Sequence, residues 1–128
     1  MKQSNLQFSN PHIEKIDFKV NTNNPISNEM PISIEIEVAK NPKENKAVVK
    51  LILCVGKQID ENAVTAIYFK GDILAEFTWE ENISNPEKML RISGGTVLLS
   101  YIRPILSNLT MQAGIKPLYL PFVNFTEE

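Results

Sequence analysis

From Ile32 to Val38 the chain reads Ile-Ser-Ile-Glu-Ile-Glu-Val, and this strict alternation constrains the fold more than any other feature. Successive side chains of a β-strand point to opposite faces, so a period of two puts four aliphatic groups on one side and Ser33, Glu35 and Glu37 on the other. A strand with one dry and one wet face needs paired neighbours and an apolar cover. The neighbours are present in the sequence. Leu6 and Phe8 alternate up to Asn10-Pro11, and Ile16, Phe18 and Val20 resume the pattern. This predicts one strand interrupted by a bulge or bend, because proline cannot donate to a ladder. From Ala47 to Val55, Val49, Leu51, Leu53 and Val55 share one parity, while Val48, Ile52 and Cys54 make the other parity apolar too. Such a strand is expected to lie centrally or to meet another subunit. The run Val64 to Trp79 places Ile67, Phe69, Gly71, Ile73, Ala75, Phe77 and Trp79 on one face and Lys70, Asp72, Glu76 and Thr78 on the other. Gly71 in mid-strand predicts a bulge or a close backbone approach. Asn21–Glu29, Asn41-Pro42 and Lys57–Asn62 are polar connections. The prediction is a four-stranded antiparallel sheet.

The rest of the chain changes period. Asn85 is a suitable N-cap and Pro86 a suitable first helical residue, which predicts a short helix from Pro86 to Arg91. Gly94-Gly95 is expected to end it. A longer helix is predicted from Thr96 to Ala113, with Leu98, Tyr101, Ile102, Ile105, Leu109 and Ala113 at spacings of three and four. Pro104 inside that pattern predicts a kink or a helix start nearer to it. Gly114 stands where a helix cap is expected. Lys116–Phe125, with two prolines, should be extended. Strands followed by helices indicate an α+β fold. The expected layout is one domain over 1–128, with the sheet in 1–80, the helices in 86–114 and an extended tail in 115–128.

The sequence offers little for chemistry. Its 128 residues are 43% apolar and 22% charged, close to the globular average. Thirteen basic against fifteen acidic residues leave a net charge of -2, so nothing points to nucleic acid or an anionic membrane. No window approaches the roughly 20 apolar residues of a membrane span. The N-terminus has no continuous apolar stretch of the signal-peptide kind. A single cysteine, Cys54, fits a reducing compartment, and its place in an apolar strand predicts an inert buried thiol. The expectation is a cytoplasmic protein without membrane insertion. The one histidine, His12, would have to be the base of any triad, and no nucleophile motif accompanies it. A zinc site usually takes four ligands from Cys, His or carboxylates, and one Cys with one His argues against a structural one. Glu35 and Glu37 share a strand face opposite an aliphatic one, which reads as a solvated surface. The expectation is therefore a protein that is not an enzyme, with no cofactor and no metal. The apolar parity of the third and fourth strands exceeds what one helix can cover, which favours an oligomer or an apolar client surface.

The end of the chain carries a more specific signal. It reads Tyr101-Ile102-Arg103-Pro104-Ile105-Leu106-Ser107-Asn108-Leu109-Thr110, then Ala113-Gly114, then Pro117-Leu118-Tyr119-Leu120-Pro121-Phe122-Val123-Asn124-Phe125. This resembles the SecB family of protein-export chaperones, whose long helix carries a Y-x-R-x-x-I/L-x-x-L/M-T-like run, ends in glycine and precedes a P-x-L-x-L-x-x-[IV]-N-F tail. The resemblance spans about 25 residues, and upstream it keeps the order of the strands. It implies a Greek-key antiparallel sheet with a short and a long helix packed on one face, assembled as a homotetramer, a dimer of dimers. It also implies an ATP-independent holdase for non-native or export-bound polypeptides, with SecA or another translocase component as a partner. Two features depart from the family. Its members continue past the N-F with a helix and a basic zinc-binding tail that docks on SecA, whereas here Thr126-Glu127-Glu128 follow Phe125. Pro104 stands where relatives often have an acidic residue. A divergent short SecB-like protein is expected, with an interaction module dedicated to one protein partner as the alternative. Parity and spacing nominate Phe69, Ile73, Phe77, Trp79, Leu98 and Tyr101 as the peptide-binding apolar surface shared between core and groove.

Overall fold

The computed structural model describes residues 6–21, 30–57, 67–80, 82–120 and 125. The polar connection 22–29, most of the turn 57–62, the start of the fourth predicted strand at Val64 and much of the far tail lie outside them.

Among the described residues five strand segments form one antiparallel sheet: β1 (Leu6–Phe8), β2 (His12–Val20), β3 (Ile32–Lys40), β4 (Lys46–Val55) and β5 (Ile67–Trp79). β1 and β2 lie end to end along β5, and β4 and β3 follow in order. The four predicted strands thus appear as five segments, because the first is divided. β3, β4 and β5 are sequential neighbours and the first strand returns beside the last, which is Greek-key order. β4 lies between β3 and β5, as its two apolar faces require.

The division of the first strand has a register explanation. Phe8 pairs with Phe77 and His12 with Leu74, so one extra residue is absorbed around Ser9–Pro11. Ile13 pairs with Ile73 and Lys15 with Asp72, so Glu14 is a second extra residue. Each one-residue slip exchanges the two faces. Leu6, Phe8, Ile13, Ile16, Phe18 and Val20 therefore all lie opposite odd-numbered β5 residues, although their own parity changes twice. Ser9 repairs the ladder at the first slip: its N–H donates to the Glu76 carbonyl (2.9 Å) and its Oγ accepts from the Glu76 N–H (3.0 Å).

The helical segment covers one face of this sheet. Pro86–Met89 is an α-helical turn (α1) capped by Asn85, whose side chain accepts from the Lys88 N–H. Leu90–Gly94 is a single π-helical turn, and Gly95–Gln112 is the long helix α2. The expected stop at Gly94-Gly95 does not occur. Both glycines have right-handed helical backbone angles and the three pieces follow one another without interruption. Contact explains the pair. A Cβ on Gly94 would come within 3.1 Å of Val49 Cγ1, and one on Gly95 within 3.2 Å of Ile36 Cδ1. Glycine costs about 1 kcal/mol relative to alanine in a helix, offset here by letting the helix lie directly on the sheet. Pro104 is inside α2, which begins at Gly95 and not near the proline.

The buried stripe of α2 consists of Leu98, Leu99, Ile102, Leu106 and Thr110. It is rotated from the predicted stripe: Tyr101 and Ala113 are exposed, while Ile105 and Leu109 are half-buried. Under it lie the odd-numbered side chains of β4 and β5, with Phe69 and Phe77 fully buried. Gly71 is the close approach anticipated for it, since a Cβ there would fall 2.7 Å from Phe69 Cζ. The helix ends as predicted at Gly114, which has φ of +82°. The Ile115 N–H donates to Thr110 O and the Gly114 N–H to Met111 O, a Schellman arrangement.

Candidate functional site

The nominated apolar residues separate by burial. Phe69, Ile73, Phe77, Trp79 and Leu98 belong to the closed core and present almost no surface in the subunit. They lie on the central strand β5 and the inner line of α2, where parity marks the core. Tyr101 alone is open, at 44% exposure. Its ring meets Phe8 edge-on (centroids 6.3 Å apart), and Phe8 in turn packs on Phe77 (5.7 Å). Tyr101 and Phe8 thus extend the core to the surface beside β1.

A second apolar surface lies at the opposite end of the sheet, over β3. Among the described residues β3 pairs only with β4, and no described strand lies along its other edge. Its inward row loses cover along its length: Val38, Ile36 and Ile34 are half-buried and Ile32 is 44% exposed. Above this row is a cavity of about 490 Å³. Ile34, Ile36, Ile92 and Phe125 supply its apolar lining; Asn85, Glu87, Lys88 and Arg91 supply a polar rim. Arg91 holds the rim to the strand. Its Nη1 donates to the Ile36 carbonyl at 2.8 Å, and its Nη2 meets Glu87 Oε1 at 3.1 Å. The π turn containing Arg91 and Ile92, with Gly94 at its end and Gly95 after it, places these side chains against β3.

The arrangement suits binding more than chemistry. A strand edge supplies main-chain donors and acceptors for an extended peptide, and a cavity with an apolar floor and a polar rim beside it can take alternate side chains. Among the described residues no three His, Cys, Asp or Glu side chains gather as a metal site would require. His12 is exposed on the face away from the helix. Cys54, predicted to be buried, is half-buried, because its parity puts it on the uncovered face of β4. Burial pushes the neighbouring Tyr68 hydroxyl above its usual range, helped by Cys54 and Asp17. No helix among the described residues is long and apolar enough to cross a membrane.

Sequence reasoning missed this cavity. The alternation places Ile34 and Ile36 on the dry face of a strand, and the signal that β3 is terminal lies in its pairing. Arg91 and Phe125, distant in sequence, gave no separate sign of converging there.

The same architecture occurs in solved structures. The Mycobacterium tuberculosis SecB-like chaperone Rv1957, solved in complex with a ChAD peptide from the Rv1956 HigA1 antitoxin, matches with a TM-score of 0.70 at 16% identity. The match covers 94% of this chain and 88% of that one. The fold is SecB-like. A protein of unknown function from Streptococcus agalactiae matches with a TM-score of 0.55 at 10% identity, over 91% of this chain and 97% of that one. In sequence, the uncharacterized protein MJ0357 of Methanocaldococcus jannaschii is 26% identical over 129 aligned positions, spanning 93% of this chain and 79% of the relative. No family model matches the chain. The SecB-like sheet and helix therefore correspond to the resemblance in Tyr101–Phe125, with one continuous helical segment in place of the separate short and long helices expected.

Proposed function

We propose that this SecB-like chain is an ATP-independent, non-catalytic chaperone that holds unfolded or export-bound polypeptides. The observation that carries the reading is the cavity on the covered side of β3, floored by Ile34, Ile36 and Ile92, beside a strand edge that no described strand pairs. A client segment in extended form would pair with the strand edge and bury apolar side chains at about 25 cal/mol per Å². Tyr101 and Phe8 form a second exposed apolar patch, available to clients or to another subunit. We propose a homotetrameric dimer of dimers built from one 128-residue SecB-like domain, acting in the cytoplasm, with SecA or another translocase component as an acceptor for clients. Light scattering in solution measures the assembly, a 14.5 kDa particle being the result that excludes it.

The holdase activity is tested by diluting a chemically unfolded, aggregation-prone protein into buffer with and without this chain and following turbidity. Suppression is expected at one tetramer per client, and Ile34→Asp is expected to abolish it. No suppression by the intact protein would remove the reading. A second reading is favoured by the antitoxin peptide carried by Rv1957: an interaction module dedicated to one protein partner. It predicts one strong partner on affinity capture and little general protection of unfolded clients.

A further inference from the structure

Phe125 borders the proposed client cavity and narrows it. Its ring joins the lining beside Ile34, Ile36 and Ile92. It rests on the bare backbone of Gly95, where a Cβ would lie 3.2 Å from Phe125 Cε1 and 3.3 Å from its Cδ1. The same Cβ would lie 3.2 Å from Ile36 Cδ1, so the ring and β3 meet over one glycine. Earlier residues of the tail are fastened to α2 through main-chain groups. The Leu118 N–H donates to Thr110 Oγ1, and Arg103 Nη2 donates to the Leu120 carbonyl, both at 2.9 Å. Leu120 is buried. Main-chain anchoring with apolar side chains seated beside it is how an extended peptide is held by a groove. The anchors lie along the middle and C-terminal end of α2, at Arg103 and Thr110, whereas Phe125 lies near its start and is only half-buried. A half-buried ring is held by part of the apolar burial that fixes a core phenylalanine, which suits a group that has to leave.

We propose that Phe125 is an internal competitor for the client cavity: its ring narrows the site in the resting chain and withdraws when an apolar side chain of a client enters. The inference rests on the reading of the cavity as the client site. A competitor lowers the apparent affinity by the fraction of molecules in which the site is open. It therefore sets how apolar a segment must be before it is held.

Binding of a fluorescently labelled, reduced and alkylated unfolded polypeptide, read by anisotropy, tests the proposal. Phe125→Ala is expected to tighten binding about tenfold, the effect of removing a competitor that closes roughly nine sites in ten. Unchanged or weaker binding would overturn it, since a ring that forms part of the wall helps clients and does not compete with them. Ile34→Asp separates the two levels of the argument. If it abolishes binding while Phe125→Ala fails to tighten it, the client cavity stands and the competitor falls; if binding survives Ile34→Asp, both fall. A direct readout needs no destabilising change. With 4-fluorophenylalanine at position 125, the fluorine resonance is expected to move to its solvent-exposed position when the unfolded polypeptide saturates the protein. Saturation with the resonance unmoved would overturn the proposal.

Discussion

Arg91 Nη1 donates a 2.8 Å hydrogen bond to the main-chain carbonyl of Ile36, joining the π turn to a strand 55 residues earlier. The same guanidinium meets Glu87 across one helical turn, where both side chains are largely exposed. Exposed pairs of this kind contribute about 0.3–0.5 kcal/mol, whereas a hydrogen bond to a strand carbonyl contributes about 1 kcal/mol. Arg91→Ala should therefore lower stability by about 1 kcal/mol or slightly more, and Glu87→Ala by less than about 0.5 kcal/mol. Urea denaturation of the two variants checks the order. Equal losses would mean that the ion pair, and not the link to β3, carries the contribution.

The glycines should fail in different ways. Gly71→Ala puts a methyl 2.7 Å from Phe69 Cζ and 3.2 Å from Ile102 Cδ1, under a helix that leaves Phe69 no free space. Overpacking of that kind costs about 1–3 kcal/mol. Gly114→Ala meets nothing within 4 Å but must hold φ near +82°, at a cost of about 1–2 kcal/mol. Replacement by Asn, which tolerates that region better, should restore part of the loss at position 114 and none at position 71. The urea midpoints of the four variants decide it.

These glycines also show how far the fold can be read from residues alone. The period-two runs, the break before His12 and the cap at Gly114 were legible because each follows from local geometry. Gly94-Gly95 was not, since glycine both ends helices and allows close approach, and only Val49 and Ile36 decide which. The site was less legible still. Parity identifies the buried face of β5, but it cannot tell that Phe69 and Phe77 are sealed while Ile34 and Ile36 border a cavity. That difference arises from strand order and from Arg91 and Phe125 converging on β3, which are tertiary facts. Tyr101 shows the same limit, since helical spacing puts it on the covered stripe of α2 whereas it is 44% exposed.

Thr110 is a buried polar residue whose hydroxyl ties the tail to α2, donating to the Ser107 carbonyl and accepting from the Leu118 N–H. Thr110→Val keeps the shape and leaves that amide without its acceptor. The expected loss is about 1–3 kcal/mol, the cost of an unsatisfied buried donor. Thr110→Ser keeps the hydroxyl and should retain the bond. Amide hydrogen exchange at Leu118 should accelerate in the valine variant and stay slow in the serine variant, which distinguishes loss of the tail contact from loss of packing.

The uncovered face of the sheet carries a charge network whose pH dependence has a definite sign. Lys50 on β4 lies 3.5 Å from Glu14 and 3.6 Å from Asp72, so the second slipped residue of the first strand is tied across β5 to β4. Burial opposes the Lys50 charge, but the Glu14 and Asp72 carboxylates, with Glu37 opposite on β3, outweigh it and raise the lysine above its ordinary 10.5. A cation raised in the folded state binds its proton more tightly there than when unfolded. Its contribution is therefore complete below about pH 10.5 and fades as the pH climbs through the higher folded value. Between neutral pH and pH 10 the network should contribute a constant amount, and stability should begin to fall only above that. Lys50→Met should remove this part of the alkaline decline while lowering stability at neutral pH, because the less exposed Asp72 carboxylate is left without its partner. Glu14→Gln should weaken the decline only in part, since Asp72 continues to hold the lysine. Urea denaturation of the three proteins from pH 7 to pH 11 measures the effect, and an alkaline limb identical in wild type and Lys50→Met would show that the network contributes nothing to it.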